Sequence, residues 1–106
     1  MYEDFFPARL AQLRQAKGVS ARDMSLSIGQ NKNYINHVEN KKMFPSISVF
    51  FYICEYLGIT PKEFFDDEND NPELINRFTN VLKNLDESDI SQLLGIAEKL
   101  ADKRRA

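Results

Sequence analysis

The chain has 106 residues, 42% of them apolar, which suffices for one domain with a modest core or for one small domain with an appendage. Its single cysteine, Cys54, excludes an intrachain disulfide framework and fits a reducing compartment. The formal net charge of −2 argues against a nucleic-acid partner until it is divided by position: residues 1–45 hold seven Lys or Arg against four acids, and residues 46–106 hold seven against twelve. A modestly positive front half can neutralise a few phosphates, while an acidic back half would face solvent or a partner. The N-terminus lacks the basic start and apolar run of a signal peptide, and no apolar run approaches the ~20 residues that cross a bilayer, so the expected setting is cytoplasmic, with no membrane partner.

Residues 5–17 place Phe6, Leu10 and Leu13 on one helical stripe, with Arg9, Gln12, Arg14 and Lys17 on the other positions and Gly18 as the stop. Two short helical patterns then meet at Gly29, the first carrying Met24 and Ile28 at i, i+4 and the second Ile35 and Val38 at i, i+3. Ser20 followed by Asp23 is an N-cap signature, and Gly29 supplies the backbone freedom of a sharp turn, so Ser20 to Ser46 reads as a helix-turn-helix. With Ile35 and Val38 subtracted, the segment from Gln30 to Asn40 is rich in amides and also carries Lys32 and His37. Asn is a mediocre helix former, so solubility alone does not account for this face. Asn and Gln can pair with adenine N6 and N7 together, and Lys can read guanine acceptors or hold phosphate.

Ser46 is expected to cap a fourth helix with Ile47, Phe50, Phe51, Cys54 and Leu57 on its apolar face and Gly58 at its end. Thr60 to Glu63 combines a capping box with Pro61 at the first helical position, opening a short fifth helix that should insert Phe64 and Phe65 into the core. Residues 67–72 read as an acidic, solvated linker between a domain over 1–66 and a C-terminal element over 73–106. The spacing of a calcium loop is not met there, and no metal or cofactor is expected. Beyond it, Leu74, Phe78, Val81 and Leu85 predict a helix from Pro72 to Leu85. Ile90, Leu93, Leu94, Ala97, Leu100 and Ala101 predict another to about Lys103. The short break between them implies an amphipathic αα-hairpin, which must cover its apolar faces against the front domain or another chain, and a symmetric dimer contact is expected over intrachain packing. Lys103, Arg104 and Arg105 suit the negative end of the last helix.

The spacing from Ser20 through Met24, Gly29, Ile35, Val38 and Glu39 to Pro45 and Ser46 resembles the phage-repressor and Cro-like (XRE-type) family of bacterial transcriptional regulators, over residues 5–65. The resemblance implies an all-α fold: a five-helix lambda-repressor-like helix-turn-helix domain, here followed by the hairpin. It also implies a major-groove reading segment over residues 30–39. By matching positions, Lys32, Asn33 and His37 are the candidates for base contacts, with Asn36 one turn on. Ser20, Asn31, Asn40, Lys41 and Lys42 are the candidates for the DNA backbone. Arg14 and Glu39 match a structural ion pair between the first and third helices. Two positions depart from the family: Ala21 stands where glutamine is usual, which removes one phosphate contact, and Lys41 stands where glycine is usual, which implies strain or a different turn.

The implied function is a sequence-specific regulator of transcription, a repressor binding double-stranded DNA as a homodimer. The competing reading is a protein-interaction module, such as an antitoxin or a repressor antagonist, that holds a regulatory protein partner through the hairpin. No nucleophile–base pair, phosphate loop or metal constellation is legible, so an enzyme is not expected. A lone histidine does not carry a metal or catalytic argument.

Overall fold

The computed structural model describes residues 2–68 and 70–105. Met1, Asn69 and Ala106 lie outside the described residues, as do the side chains of Tyr2 and Arg105, and with them the expectation for Arg105. The helices are α1 (Tyr2–Lys17), α2 (Ala21–Ser27), α3 (Tyr34–Glu39), α4 (Ile47–Leu57), α5 (Pro61–Phe64), α6 (Pro72–Leu82) and α7 (Glu87–Arg105), with no strand among the described residues. None of the described helices is long and apolar enough to cross a membrane. The chain divides into two units, Met1–Glu73 and Leu74–Ala106.

Local chemistry sets most helix ends in the first unit. α1 carries Glu3 and Asp4 in its first turn and Arg14 and Lys17 in its last, matching the helix dipole at both ends. It stops at Gly18, whose φ of +77° suits glycine. The hydroxyls of Ser20, Ser46 and Thr60 each accept from a backbone N–H in the first turn of the helix that follows, and Glu63 returns the bond to Thr60 to complete the capping box.

These helices close around one core. Phe6, Leu10 and Leu13 of α1 meet Met24 of α2, Ile35 and Val38 of α3, and Phe50, Ile53, Cys54 and Leu57 of α4. Phe64 fills the floor, its ring centroid 4.8 Å from that of Phe6 and 5.2 Å edge-on from that of Phe50. Two apolar expectations are corrected here. Ile47 is 67% exposed and Phe51 49%, because the buried face of α4 runs through Phe50, Ile53, Cys54 and Leu57 at i, i+3, i+4, i+7. Phe65 is 54% exposed, stacking on Phe5 at 6.1 Å while Phe64 alone enters the core.

Arg9 is the largest departure from the expected solvent-facing positions: it is 2% exposed. Its Nε donates to Phe64 O at 2.6 Å, and Nη2 donates to Glu63 O at 2.8 Å and Asp66 O at 2.6 Å. The guanidinium thereby satisfies carbonyls left open at the end of α5, and burial pulls its pKa down against the opposing pull of Asp66, Asp67 and Asp70. The acidic segment is likewise fastened, not solvated throughout. Gln12 Nε2 donates to Asp70 Oδ1 at 2.9 Å, Pro72 is buried, and Lys17 Nζ reaches Glu73 Oε2 at 2.9 Å while lying 5.3 Å from the centre of the Tyr56 ring.

The second unit is a helical hairpin. α6 ends at Leu82, three residues before the predicted end, because Lys83 to Leu85 turn back through bonds from Asn84 N to Val81 O and Leu85 N to Leu82 O. The Asp86 carboxylate then accepts from Asp89 N at 2.8 Å and starts α7. Phe78, Leu82, Ile90, Leu93, Leu94 and Ala97 line an apolar groove of about 170 Å³ within this hairpin.

Candidate nucleic-acid interface

α2 and α3 are joined by a turn that starts at the Ile28 C-cap and passes through Gly29, where φ is +77°. Gln30 N donates to Ser25 O at 2.9 Å, folding the chain back across the end of α2. The sequence pattern predicts a helix from residue 30, but α3 begins at Tyr34, so Asn31, Lys32 and Asn33 sit in the turn before it. The cause is local: Asn31 Oδ1 accepts from Asn33 N at 2.9 Å, an Asx turn that competes with helical hydrogen bonding.

The inner face of α3 is anchored by Tyr34, Ile35 and Val38, all buried. Ile35 N, which has no intrahelical acceptor so near the helix start, donates to the buried hydroxyl of Ser25 at 2.9 Å. That hydroxyl donates in turn to Ala21 O at 2.7 Å. Burial also pushes the Tyr34 phenol up. At the other end Arg14 grips Glu39 with two parallel bonds, Nε to Oε2 at 2.7 Å and Nη2 to Oε1 at 3.0 Å, while Nη1 donates to Val19 O at 2.9 Å. The Glu39 carboxylate raises the pKa of Arg14 further, so this fork stays charged at every working pH. One hydroxyl and one ion pair thus fix the two ends of a six-residue helix that could not hold its shape alone.

What this frame presents outward is polar. Asn31, Lys32, Asn33 and Asn36 are exposed, and His37 is half-buried. Asn33 is the N-cap residue, and its side-chain amide makes no cap bond. Asn33, Asn36, His37 and Asn40 recur at i, i+3, i+4, i+7 and so share the face opposite the buried residues. Asn36 is engaged within that face, its Oδ1 and backbone carbonyl accepting from Asn40 Nδ2 at 2.6 and 2.8 Å. Ser20 caps α2, its Oγ accepting from Asp23 N at 3.0 Å, and the O–H of the same hydroxyl is left to donate outward.

Beyond Asn40 the chain enters the left-handed region at Lys41, with φ of +63°, the one described non-glycine residue with positive φ. That conformation costs a residue with a Cβ roughly 1–2 kcal/mol, and it lets Lys42 N close back onto His37 O at 2.9 Å. Lys41 Nζ pairs with Asp4 Oδ1, and this bond holds the Asp4 carboxyl below its usual range. Lys42 is exposed.

Sequence reasoning missed Ser25 and Arg9. Ser25 neighbours Met24 on a seven-residue helix, too short for its phase to be read. Arg9 was findable, because Phe6, Arg9, Leu10 and Leu13 stand at i, i+3, i+4, i+7 on one stripe.

No curated protein and no solved structure matches the chain. The family model described as a helix-turn-helix domain matches residues 8–70, more than half of the sequence. The match takes in α2, the turn and α3 together with α4, α5 and the part of α1 from residue 8 onward that brace them, and the chain therefore belongs to the helix-turn-helix domain family.

Proposed function

We propose that this protein is a sequence-specific, double-stranded DNA-binding regulator of transcription, a repressor of the phage-repressor and Cro-like (XRE) type, reading the major groove with residues 30–39. The observation that carries the reading is the exposed run Asn31-Lys32-Asn33, followed by Asn36 and His37, on a turn and short helix locked at both ends by Ser25 and by Arg14–Glu39. Lys32, Asn33, Asn36 and His37 supply base contacts. Ser20, Asn31, Asn40, Lys41 and Lys42 hold phosphates and set the register. The C-terminal hairpin joins two chains so that two half-sites about one helical turn apart, roughly 34 Å, are bound together.

Selection from a randomised duplex pool, followed by binding of the full chain at two salt concentrations, tests this. Lys32→Ala and Asn33→Ala should each change which bases are preferred, whereas Lys42→Ala should weaken every sequence alike and lower the salt slope by about one. Unchanged discrimination in both of the first two variants would refute the register, and absence of salt-sensitive binding would refute the function. A second reading, an antitoxin or antagonist that holds a protein partner, draws on the apolar groove of the hairpin. It predicts that a chain lacking residues 74–106 still binds DNA but releases a distinct co-purifying protein.

A further inference from the structure

We propose that two chains associate through α7 in antiparallel register about Gly95, so that the occupant of the hairpin's apolar face is a second copy of this chain. The inference rests on the homodimer reading above and adds its direction and register.

The residues of α7 are arranged almost symmetrically around Gly95. At equal distances on either side stand Leu94 and Ile96, Leu93 and Ala97, and Ile90 and Leu100, apolar with apolar. Further out stand Glu87 and Lys103, then Asp86 and Arg104, acid with base. At 100° per residue the apolar members, together with Asp86, Asp89 and Arg104, fall on one side of the helix. Ser88, Ser91, Gly95 and Asp102 fall on the other. Much of the apolar side is uncovered within the hairpin: Leu94 is 57% exposed and Leu100 60%. The groove beside it has six lining residues, all apolar, and so offers nothing to a polar ligand.

Charge decides the direction. In a parallel pair about a two-fold axis, Asp86 on the shared side would face its own copy, as would Arg104, and Glu87, Asp89 and Lys103 would stand level with theirs, setting like charges together at both ends. In the antiparallel pair each acidic start meets a basic end twice over, and a four-helix bundle results from two hairpins.

The test uses the full chain carrying Cys54→Ala, with a spin label on a cysteine introduced at Ser88 or, separately, at Ser91, both on the outer face. Sedimentation reports whether a dimer forms, and pulsed EPR reports the label-to-label distance. Antiparallel register about Gly95 offsets the two labels along the axis by about 21 Å at position 88 and about 12 Å at position 91, so the distance should shorten between the two sites. A dimer with equal distances at both sites overturns the register while leaving the homodimer standing. A monomer overturns both. Independently, a chain with Asp86→Lys and Glu87→Lys and a chain with Lys103→Glu and Arg104→Glu should each self-associate about tenfold or more weakly. Mixed in equal amounts they should recover the affinity of the unaltered chain. A mixture that remains weak while its helicity by circular dichroism is intact overturns the proposal.

Discussion

Ser25 and Ile35 are joined by a buried hydrogen bond of 2.9 Å from the Ile35 amide to the Ser25 hydroxyl, and it ties the second helix to the first turn of the third. The hydroxyl is the acceptor for a donor that the short α3 helix leaves open, and both residues are fully buried. Ser25→Ala should therefore cost about 1–3 kcal/mol in urea unfolding, well above the small gain in helix propensity from alanine. Ser25→Thr keeps the hydroxyl but adds a methyl at a fully buried position, and should also lose stability. If Ser25→Ala proves neutral, the bond does not hold α3 in place.

Arg9 should tolerate no replacement. Arg9→Lys offers a single ammonium to carbonyls of Phe64, Glu63 and Asp66 that a planar fork now serves together. Both Arg9→Lys and Arg9→Met should lower stability by roughly 2–4 kcal/mol, since each leaves carbonyl groups unmatched. Thermal melts of the two variants measure this, and a Tm within a degree of the unaltered protein would contradict it.

Cys54 gives the protein a calculable alkaline limit. Burial pushes its thiol from the ordinary value of 9.0 up to about 11. The unfolded chain therefore loses this proton first. Below pH 9 the protonated thiol is retained in both states and stability is complete; between about pH 9 and 11 only the unfolded state ionises, and stability falls with rising pH by about 2–3 kcal/mol. Tyr34, also raised by burial, adds a loss of the same sign on the alkaline side. Unfolding free energies across this range should show a shallower decline in Cys54→Ala, though that variant starts from a lower value because of the space it leaves.

Lys41→Gly should separate strain from function. Glycine relieves the left-handed conformation and should raise stability by up to about 1 kcal/mol, despite the loss of the exposed pair with Asp4. On the proposed reading the same change removes a phosphate contact, so DNA affinity should fall and the salt slope should drop by about one. A variant that is more stable and yet binds DNA with an unaltered slope would remove Lys41 from the contact set.

What the sequence made legible was what local chemistry decides. Ser20, Ser46 and Thr60 announce helix starts because a side-chain oxygen three residues ahead of an open amide acts whatever the rest of the chain does. The polar face of α3 could be found by subtracting Ile35 and Val38. Its start could not, because the Asx turn at Asn31 and helical pairing were both open to the same residues, and the bond from Asn31 to Asn33 settled the choice. In α4 nearly every residue is apolar, so its stripe has no unique phase in the sequence, and the phase that includes Ile47 and Phe51 passes over the buried Ile53. The ties of Arg9 to Phe64 and of Ser25 to Ile35 link residues from different helices, and periodicity within one helix carries no information about such pairs.

The carbonyls that Arg9 holds lie 54, 55 and 57 residues further along the chain. Synthesis runs from the N-terminus, so α1, α2 and α3 leave the ribosome well before Phe64 and Asp66 do. Through that interval a guanidinium destined for the interior has no acceptor at the end of α5, and the floor of the core lacks Phe64. The contacts of longest sequence separation are then the last to form. A nascent chain arrested before residue 66 emerges should remain open to protease within α1, and one arrested with the whole first unit exposed should become protected in a single step.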